Sequence, residues 1–269
     1  MTLHVIITGG ASGLGAALVK QYAKRGAKIC IADLNEQRAN VVIADNAAQA
    51  SDIFFQHCDI TNDADIETLH EAVVSRWGKL DVLINNAGVA TGGALEYEDI
   101  EQWQWVLNIN LLGLVRMTQT FSPLLAQQQQ SQIINIASQA GITPIPYMGS
   151  YNASKAAVVS FSETMHLEMA KRGIKVSVVC PSFFDTNLDE SIRSKQPGVD
   201  GLIKKLLTRS TITADDVATI IINKANKGKF MILSHQEGRS AYRLKRYLPT
   251  DYYLKMMIKK LQGFGPRTK

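Results

Sequence analysis

Seven short apolar runs, separated by amphipathic stretches, constrain the fold of this chain more than any other feature. His4–Thr8 (HVIIT), Lys28–Ala32 (KICIA), Phe54–Cys58 (FFQHC), Val82–Asn85 (VLIN), Ile133–Ala137 (IINIA), Lys175–Cys180 (KVSVVC) and Phe230–Leu233 (FMIL) are rich in β-branched residues and mostly unbroken in their apolarity. Such runs suit parallel strands covered on both faces, because a strand with one wet face would alternate apolar and polar residues. Helical patterns at Leu14–Arg25, Glu36–Ala50, Ala64–Trp77, Ile100–Gln127, Asn152–Arg172 and Ala214–Ala225 lie between them. Thr213-Ala-Asp-Asp216 predicts a capping box before the last of these, with Asp in place of Glu. The alternation predicts an α/β fold: a doubly wound, seven-stranded parallel sheet flanked by helices, with a C-terminal helical extension.

A chain of 269 residues, 46% hydrophobic and 20% charged, can bury the core such a sheet needs. No Gly/Ser/Pro-rich linker divides it, so residues 1–238 are expected to form one domain and 239–269 a basic helical tail. The tail holds nine basic residues against Asp251 alone, a net +8; residues 1–238 therefore carry −3 within the chain's +5. A mildly acidic body argues against a nucleic-acid partner. No apolar run reaches the roughly 18 residues of a membrane-spanning helix, and the N-terminus lacks a signal-peptide layout. Cys30, Cys58 and Cys180 sit in or at the ends of apolar runs without metal-ligand spacing. They read as buried thiols in a reducing, cytoplasmic setting, with no metal site expected.

Directly after the first strand comes TGGASGLG, Thr8 to Gly15. Gly9, Gly13 and Gly15 there would let the backbone turn tightly and approach a pyrophosphate, with Ser12 and Leu14 between them. The following helix would aim its free N–H groups at the phosphates. The absence of Gly-Lys-Ser/Thr disfavours an ATP P-loop. Asp33 ends the second strand, twenty residues after Gly13, where a carboxylate can accept both hydroxyls of an adenosine ribose and repel a 2′-phosphate. Neither Ser12 nor Leu34 is basic, so the expected cofactor is NAD rather than NADP. Asp59 and Ile60, after the third strand, would lie beside the adenine.

Further along stand Asn85-Asn86-Ala87-Gly88 at the end of strand four, Asn110 within a long helix, Ser138 closing strand five, and Tyr151 with Lys155 opening the next helix. Together these resemble the short-chain dehydrogenase/reductase family, single-domain branch, a Rossmann-like fold. Its T-G-x3-G-x-G loop is matched by Thr8–Gly15, its N-N-A-G by Asn85–Gly88, and its N-x-x-G by Asn110 with Gly113. Its serine and Y-x-x-x-K are matched by Ser138, Tyr151 and Lys155, and the match extends to about Thr186. The resemblance implies that Asn86, Ala87, Gly88, Pro181, Phe184 and Thr186 border the cofactor together with Tyr151 and Lys155. Pro181-Ser182 departs from the family's Pro-Gly, and serine there expects a more restricted backbone.

Residues i and i+4 share a helical face, so Lys155 lies on the same side as Tyr151. A free tyrosine titrates near 10; a neighbouring ammonium and a cationic nicotinamide are expected to lower that value. Tyr151 would then pass a proton to or from the substrate oxygen as general acid/base. By resemblance, Ser138 would bond that same oxygen, Lys155 would hold the nicotinamide ribose, and Asn110 would anchor a proton-relaying water. The implied activity is hydride transfer between NAD(H) and a secondary alcohol or ketone. The alternative is a regulatory nucleotide-binding protein without turnover. A lyase or epimerase would call for an added substrate domain.

The segment 183–211 is where the family keeps a mobile substrate lid. Phe183, Phe184, Leu188, Ile192, Leu202, Ile203, Leu206 and Leu207 there, with Pro144–Met148, suit either a hydrophobic, lipid-like substrate or ordinary packing. In the tail, Thr250-Asp251 is expected to cap a helix with Leu254, Met257, Ile258 and Leu261 on one face and Lys255, Lys259 and Lys260 away from it. Packing on the body or on a partner subunit is expected, in preference to peripheral contact with an anionic membrane. By resemblance, the Ile100–Gln127 and Asn152–Arg172 helices would form the interface of a homodimer or homotetramer.

Overall fold

Strand β1 (His4–Thr8) is apolar at every position but its ends and is buried along its whole length, so it occupies the middle of the sheet. The chain continues through α1 (Gly13–Ala23), β2 (Lys28–Asp33), α2 (Glu36–Asn46), β3 (Asp52–His57), α3 (Asp63–Trp77), β4 (Val82–Asn85) and α4 (Ile100–Leu107). It then runs through α5 (Leu114–Leu125), β5 (Ser131–Ile136), α6 (Gly149–Met169), β6 (Ile174–Val179), α7 (Val199–Leu207), α8 (Ala214–Asn226), β7 (Met231–Ile232), α9 (Gln236–Tyr247) and α10 (Thr250–Lys260). The computed structural model describes residues 2–184, 187–207, 210 and 212–266. All pairings are parallel, in the order β3-β2-β1-β4-β5-β6-β7.

Alternate side chains of each strand build two separate cores. Val5, Ile7, Ile29, Ile31, Val82 and Ile84 pack with Leu18, Tyr22, Val217 and Ile221, from α1 and α8. The intervening Ile6, Cys30, Leu83 and Ile133 pack with Leu69, Met117, Phe121 and Met165, from α3, α5 and α6. Register aligns Cys30, Ile6, Leu83, Ile133 and Val176 across neighbouring strands. The doubly covered sheet is therefore the one the continuous apolar runs demand. The order reverses between β1 and β4, and at such a switch point loops on either side diverge and open a crevice at the carboxyl ends of the strands.

Several helix boundaries follow local chemistry. The capping box of α8 is complete: Thr213 Oγ1 accepts from Asp216 N–H at 3.2 Å while Asp216 Oδ2 accepts from Thr213 N–H at 3.0 Å. The expected single helix over Ile100–Gln127 is interrupted, however. Residues Asn108–Gly113 form a π turn between α4 and α5. A π turn inserts a residue into the ladder and leaves a main-chain carbonyl outside the regular pattern, which periodicity alone does not reveal.

The tail contains two helices, α9 and α10, and α9 begins at Gln236, across the expected boundary at 238. Thr250 does not cap α10: Pro249 occupies that position and offers no side-chain acceptor. The packed face also differs from the expected one. Tyr253 is 5% exposed, whereas Leu254 and Ile258 are 50% and 69% exposed. The large amphipathic Tyr253 turns inward and rotates the helix away from the face that the aliphatic residues mark. Lys245 Nζ donates to Ile142 O at 2.7 Å, and the Phe264 and Tyr147 rings lie 6.3 Å apart, so the tail folds back onto the body. No helix among the described residues is long and apolar enough to cross a membrane.

Candidate active site

A cleft of about 700 Å³ opens over the carboxyl ends of the strands. Its floor is the loop after β1. Gly9 has φ +63°, and a β-carbon on it would lie 2.9 Å from Ala87 Cα; a β-carbon on Gly15 would meet Gly9 O at 1.9 Å. These glycines therefore let the β1 loop, the β4 loop and α1 close to within backbone contact. Thr8 Oγ1 accepts from the N–H groups of Asn86 and Ala87 at 2.9 and 3.0 Å, and Asn86 Nδ2 donates to Thr8 O and Gly9 O. Helix α1 begins at Gly13 with no side-chain cap and no acidic residue in its first turn. Its first N–H groups are thus open to an anion at the cleft.

Every described residue predicted for the cofactor, from Gly9, Ser12, Gly13, Leu14 and Gly15 to Asp33, Asp59, Ile60, Asn86, Ala87, Gly88, Pro181 and Phe184, lines this cleft. Asp33 Oδ2 accepts from Ala11 N–H at 2.9 Å and Oδ1 from Asn35 N–H at 3.0 Å, which fixes its carboxylate at the cleft edge. Asp59 Oδ1 accepts from the N–H and hydroxyl of Thr61, and Ile60 is buried. Thr186 lies outside the described residues. The departure at Ser182 is accommodated without strain: among the described residues only Tyr147 is a non-glycine with positive φ. The Ser182 N–H donates to His235 Nδ1 at 3.2 Å, an anchor supplied from the start of α9.

Ser138, just beyond β5, and Tyr151 and Lys155, in the first turns of α6, meet at the inner end of the cleft. Tyr151 is 5% exposed, and that burial pushes its phenol above the usual tyrosine value, opposed by a hydrogen bond from the Ser138 side chain. The expectation of a lowered phenol is therefore not met in the protein alone: removal from water outweighs the nearby groups. Lys155 takes the opposite shift, and burial lowers its ammonium to about 8. Its Nζ donates to Ile136 O at 3.0 Å and lies 6.0 Å from the Tyr151 ring centroid.

Asn110 sits in the π turn rather than in a regular helix. Its Nδ2 donates to Val89 O and Ser154 Oγ, both at 3.0 Å, and its Oδ1 accepts from Val89 N–H at 2.8 Å. A β-carbon added to Gly88 would lie 3.0 Å from Asn110 Oδ1 and 3.3 Å from Lys155 Nζ. The amide oxygen and the ammonium thus both press close on Gly88, where a larger residue would crowd them.

Around Tyr151 the walls are apolar. Ala90, Ala140, Met148, Val199 and Ile203 form one buried cluster with it, joined by Ile145, Phe183, Leu188 and Ile192. The 187–207 segment is pinned to the body: Arg193 N–H donates to Ala90 O, Gly92 N–H to Arg193 O, and the Arg193 guanidinium lies 3.7 Å from the Trp105 ring centroid. Several residues of the cleft escaped the sequence reading, three of them with side chains that shape it. Trp105 and Asn108 line it from α4 and the π turn, and Arg38 lines it from α2 and pairs with Glu190 at 2.7 Å. Arg38 stands in the first turn of α2 and its partner is far along the chain, so no local pattern marked it; Trp105 and Asn108 carried no signal either. Among the described residues no cluster of His, Cys, Asp and Glu could hold a metal ion. The glycine cradle, the uncapped α1 and the Asp33 carboxylate fit a dinucleotide.

Comparison with known proteins agrees with this arrangement. The family model for short chain dehydrogenase matches residues 3–197. A 2,5-dichloro-2,5-cyclohexadiene-1,4-diol dehydrogenase of Sphingobium indicum is 37% identical over 187 residues, 70% of this chain and 75% of that protein. A 3-oxoacyl-[acyl-carrier-protein] reductase of Thermotoga maritima is 32% identical over 71% of this chain and 77% of its own length. A crystal structure of a short chain dehydrogenase/reductase from Burkholderia phymatum in complex with NAD superimposes with a TM-score of 0.86 at 28% identity, covering 100% of this chain and 97% of that one. On its sequence, its sheet and this site, the chain belongs to the short chain dehydrogenase family of oxidoreductases.

Proposed function

We propose that this oxidoreductase transfers hydride between NAD(H) and an uncharged, hydrophobic secondary alcohol or ketone, with Tyr151 as general acid/base. The observation that carries the reading is the meeting of Ser138, Tyr151 and Lys155 at the end of a glycine-floored cleft with apolar walls. When bound, the dinucleotide supplies or takes up the hydride. Gly9, Ser12, Gly13, Leu14 and Gly15 hold its pyrophosphate against α1, and Asp33 accepts from the adenosine ribose. Asp59 and Ile60 would border the adenine, while Asn86, Ala87, Gly88, Pro181 and Phe184 would border the rest.

Tyr151 Oη donates its proton to the carbonyl oxygen in reduction and accepts it from the alcohol in oxidation. Ser138 Oγ donates to that same oxygen and holds it against the phenol. Lys155 holds the nicotinamide ribose and stabilises the phenolate that reduction leaves. Asn110 anchors the water that relays the replacement proton. The lid residues Phe183, Leu188 and Ile203 exclude water from the reacting carbonyl. Exposed Leu112 and Leu167, on the helices the family uses for assembly, support a homodimer or homotetramer.

The test is a spectrophotometric screen of a panel of hydrophobic ketones with NADH and with NADPH. Turnover with NADH, at least about tenfold above NADPH in kcat/KM (1.4 kcal/mol), is the expected result. Asp33→Ala should narrow that gap. Equal or greater efficiency with NADPH in the wild-type protein contradicts the cofactor assignment, and no turnover across the panel contradicts the substrate class.

A further inference from the structure

Helix α6 carries Tyr151 and Lys155, yet it begins without local support. Met148 occupies its N-cap and offers no acceptor, and its first turn holds no acidic residue. The unpaired N–H groups of a helix start need partners when they are buried. One partner comes from a distant loop: Ser150 N–H donates to Glu98 Oε2 at 2.9 Å. The Ser150 hydroxyl lies 2.9 Å from Glu98 Oε1, and Gln102 Nε2 donates to the same oxygen at 3.3 Å. Thr91 Oγ1 lies 2.6 Å from Ser150 Oγ. With the Ser150 hydrogen turned to the carboxylate, the Thr91 hydroxyl donates to Ser150 and both hydroxyl hydrogens are used. Ser150 and Thr91 are completely buried, and Glu98 and Gln102 nearly so.

We propose that Glu98 is a positioning residue for Tyr151: its carboxylate caps α6 from the β4–α4 loop and fixes the phenol one residue beyond Ser150. This rests on the assignment of Tyr151 above. A carboxylate facing a helix N-terminus is favoured by the helix dipole, and charged hydrogen bonds of this kind are strong and directional. The arrangement also confers a division of labour. The adjacent Asp99 faces the other way: it caps α4 through Gln102 N–H at 2.9 Å and pairs with Lys195 of the lid. Ala94 N–H donates to Gln196 Oε1 at 2.8 Å, and Gly93 N–H to Tyr147 O at 2.9 Å. The 90–99 loop is thus a bracket, with Glu98 on the catalytic helix and Asp99 on the lid.

Neighbouring carboxylates should therefore give opposite kinetic signatures. Glu98→Ala should lower kcat roughly 10- to 100-fold, the cost of a misplaced reacting group, with the Kd for NADH within about twofold of wild type. It should also raise the primary isotope effect with 4-deuterated NADH, because the chemical step slows. Glu98→Gln, whose Oε1 can still accept from Ser150 N–H, should restore most of kcat. Lys195→Gln should instead raise KM for the ketone with kcat held. Amide exchange of residues 150–152 provides a readout independent of turnover: it should accelerate roughly tenfold in Glu98→Ala and stay near wild type in Glu98→Gln. If Glu98→Ala does not fold, Ser150→Ala, which removes only the hydroxyl arm, should show the same kcat loss in smaller measure. With 1-decalone as probe, wild-type kcat in Glu98→Ala, or unchanged amide exchange there, overturns the proposal. So does loss of NADH binding in parallel with kcat. Absence of wild-type turnover would count against the proposed substrate class, while exchange would still decide the role of Glu98.

Discussion

Burial holds Lys155 at about 8, against 10.5 for a free lysine, and this makes the ammonium a cost to the folded protein. The folded state releases the proton more readily than the unfolded one, so stability from this group rises as pH climbs from about 8 to 10.5. Below about 8 the penalty is complete, on the order of 3 kcal/mol for a shift of this size. Lys155→Met removes that penalty but orphans Ile136 O, which costs about 1 kcal/mol. The variant should therefore be more stable than wild type at pH 7 by roughly 2 kcal/mol and lose that advantage by pH 10.5, as thermal unfolding across pH will show. Turnover should be lost throughout. In the wild type, kcat/KM for NADH should fall above about pH 8 as Lys155 loses its charge; a profile flat to pH 10 contradicts this. The residue pattern announced Tyr151 and Lys155, but not the direction of the phenol's shift. That depends on how completely the surrounding Met148, Ala140 and Ile203 exclude water, which no spacing encodes.

At the scale of elements, the β1 loop and α1 behave as one unit because Gly15 permits contact with Gly9 O. Gly15→Ala places a methyl 1.9 Å from that oxygen, so backbone must move where the pyrophosphate is proposed to rest. Affinity for NADH should fall on the order of 100-fold, about 2.7 kcal/mol, as fluorescence titration would measure; unchanged affinity would remove this loop from the cofactor site. All seven strands lay where the apolar runs put them, within a few residues, because burial on both faces leaves a continuous signal. The π turn at Asn108–Gly113 was hidden, since inserting one residue barely alters an apolar periodicity. Glu98, Arg38 and His235 were hidden for another reason. Each acts through a partner far along the chain, at Ser150, Glu190 and Ser182.

Across the whole molecule, the tail and the substrate end of the cleft are joined through Tyr147, whose φ of +63° is sustained in a loop that also contacts Gly265 and Phe264. Truncation after Lys260 should raise KM for a hydrophobic ketone roughly 3- to 10-fold, the worth of one aromatic contact, and leave NADH affinity intact. The sequence marked the tail as basic and helical but misjudged its inward face, because Tyr253 carries more apolar surface than its phenol suggests. A longer truncation bears on membrane contact: equal sedimentation with anionic liposomes before and after removal of residues 250–269 would dismiss it. The account as a whole rests on the Tyr151 proton, and the most direct measurement is the Tyr151→Phe variant, assayed for NADH binding and for ketone reduction together. The account predicts wild-type NADH affinity with turnover reduced by roughly a thousandfold; undiminished turnover would contradict it.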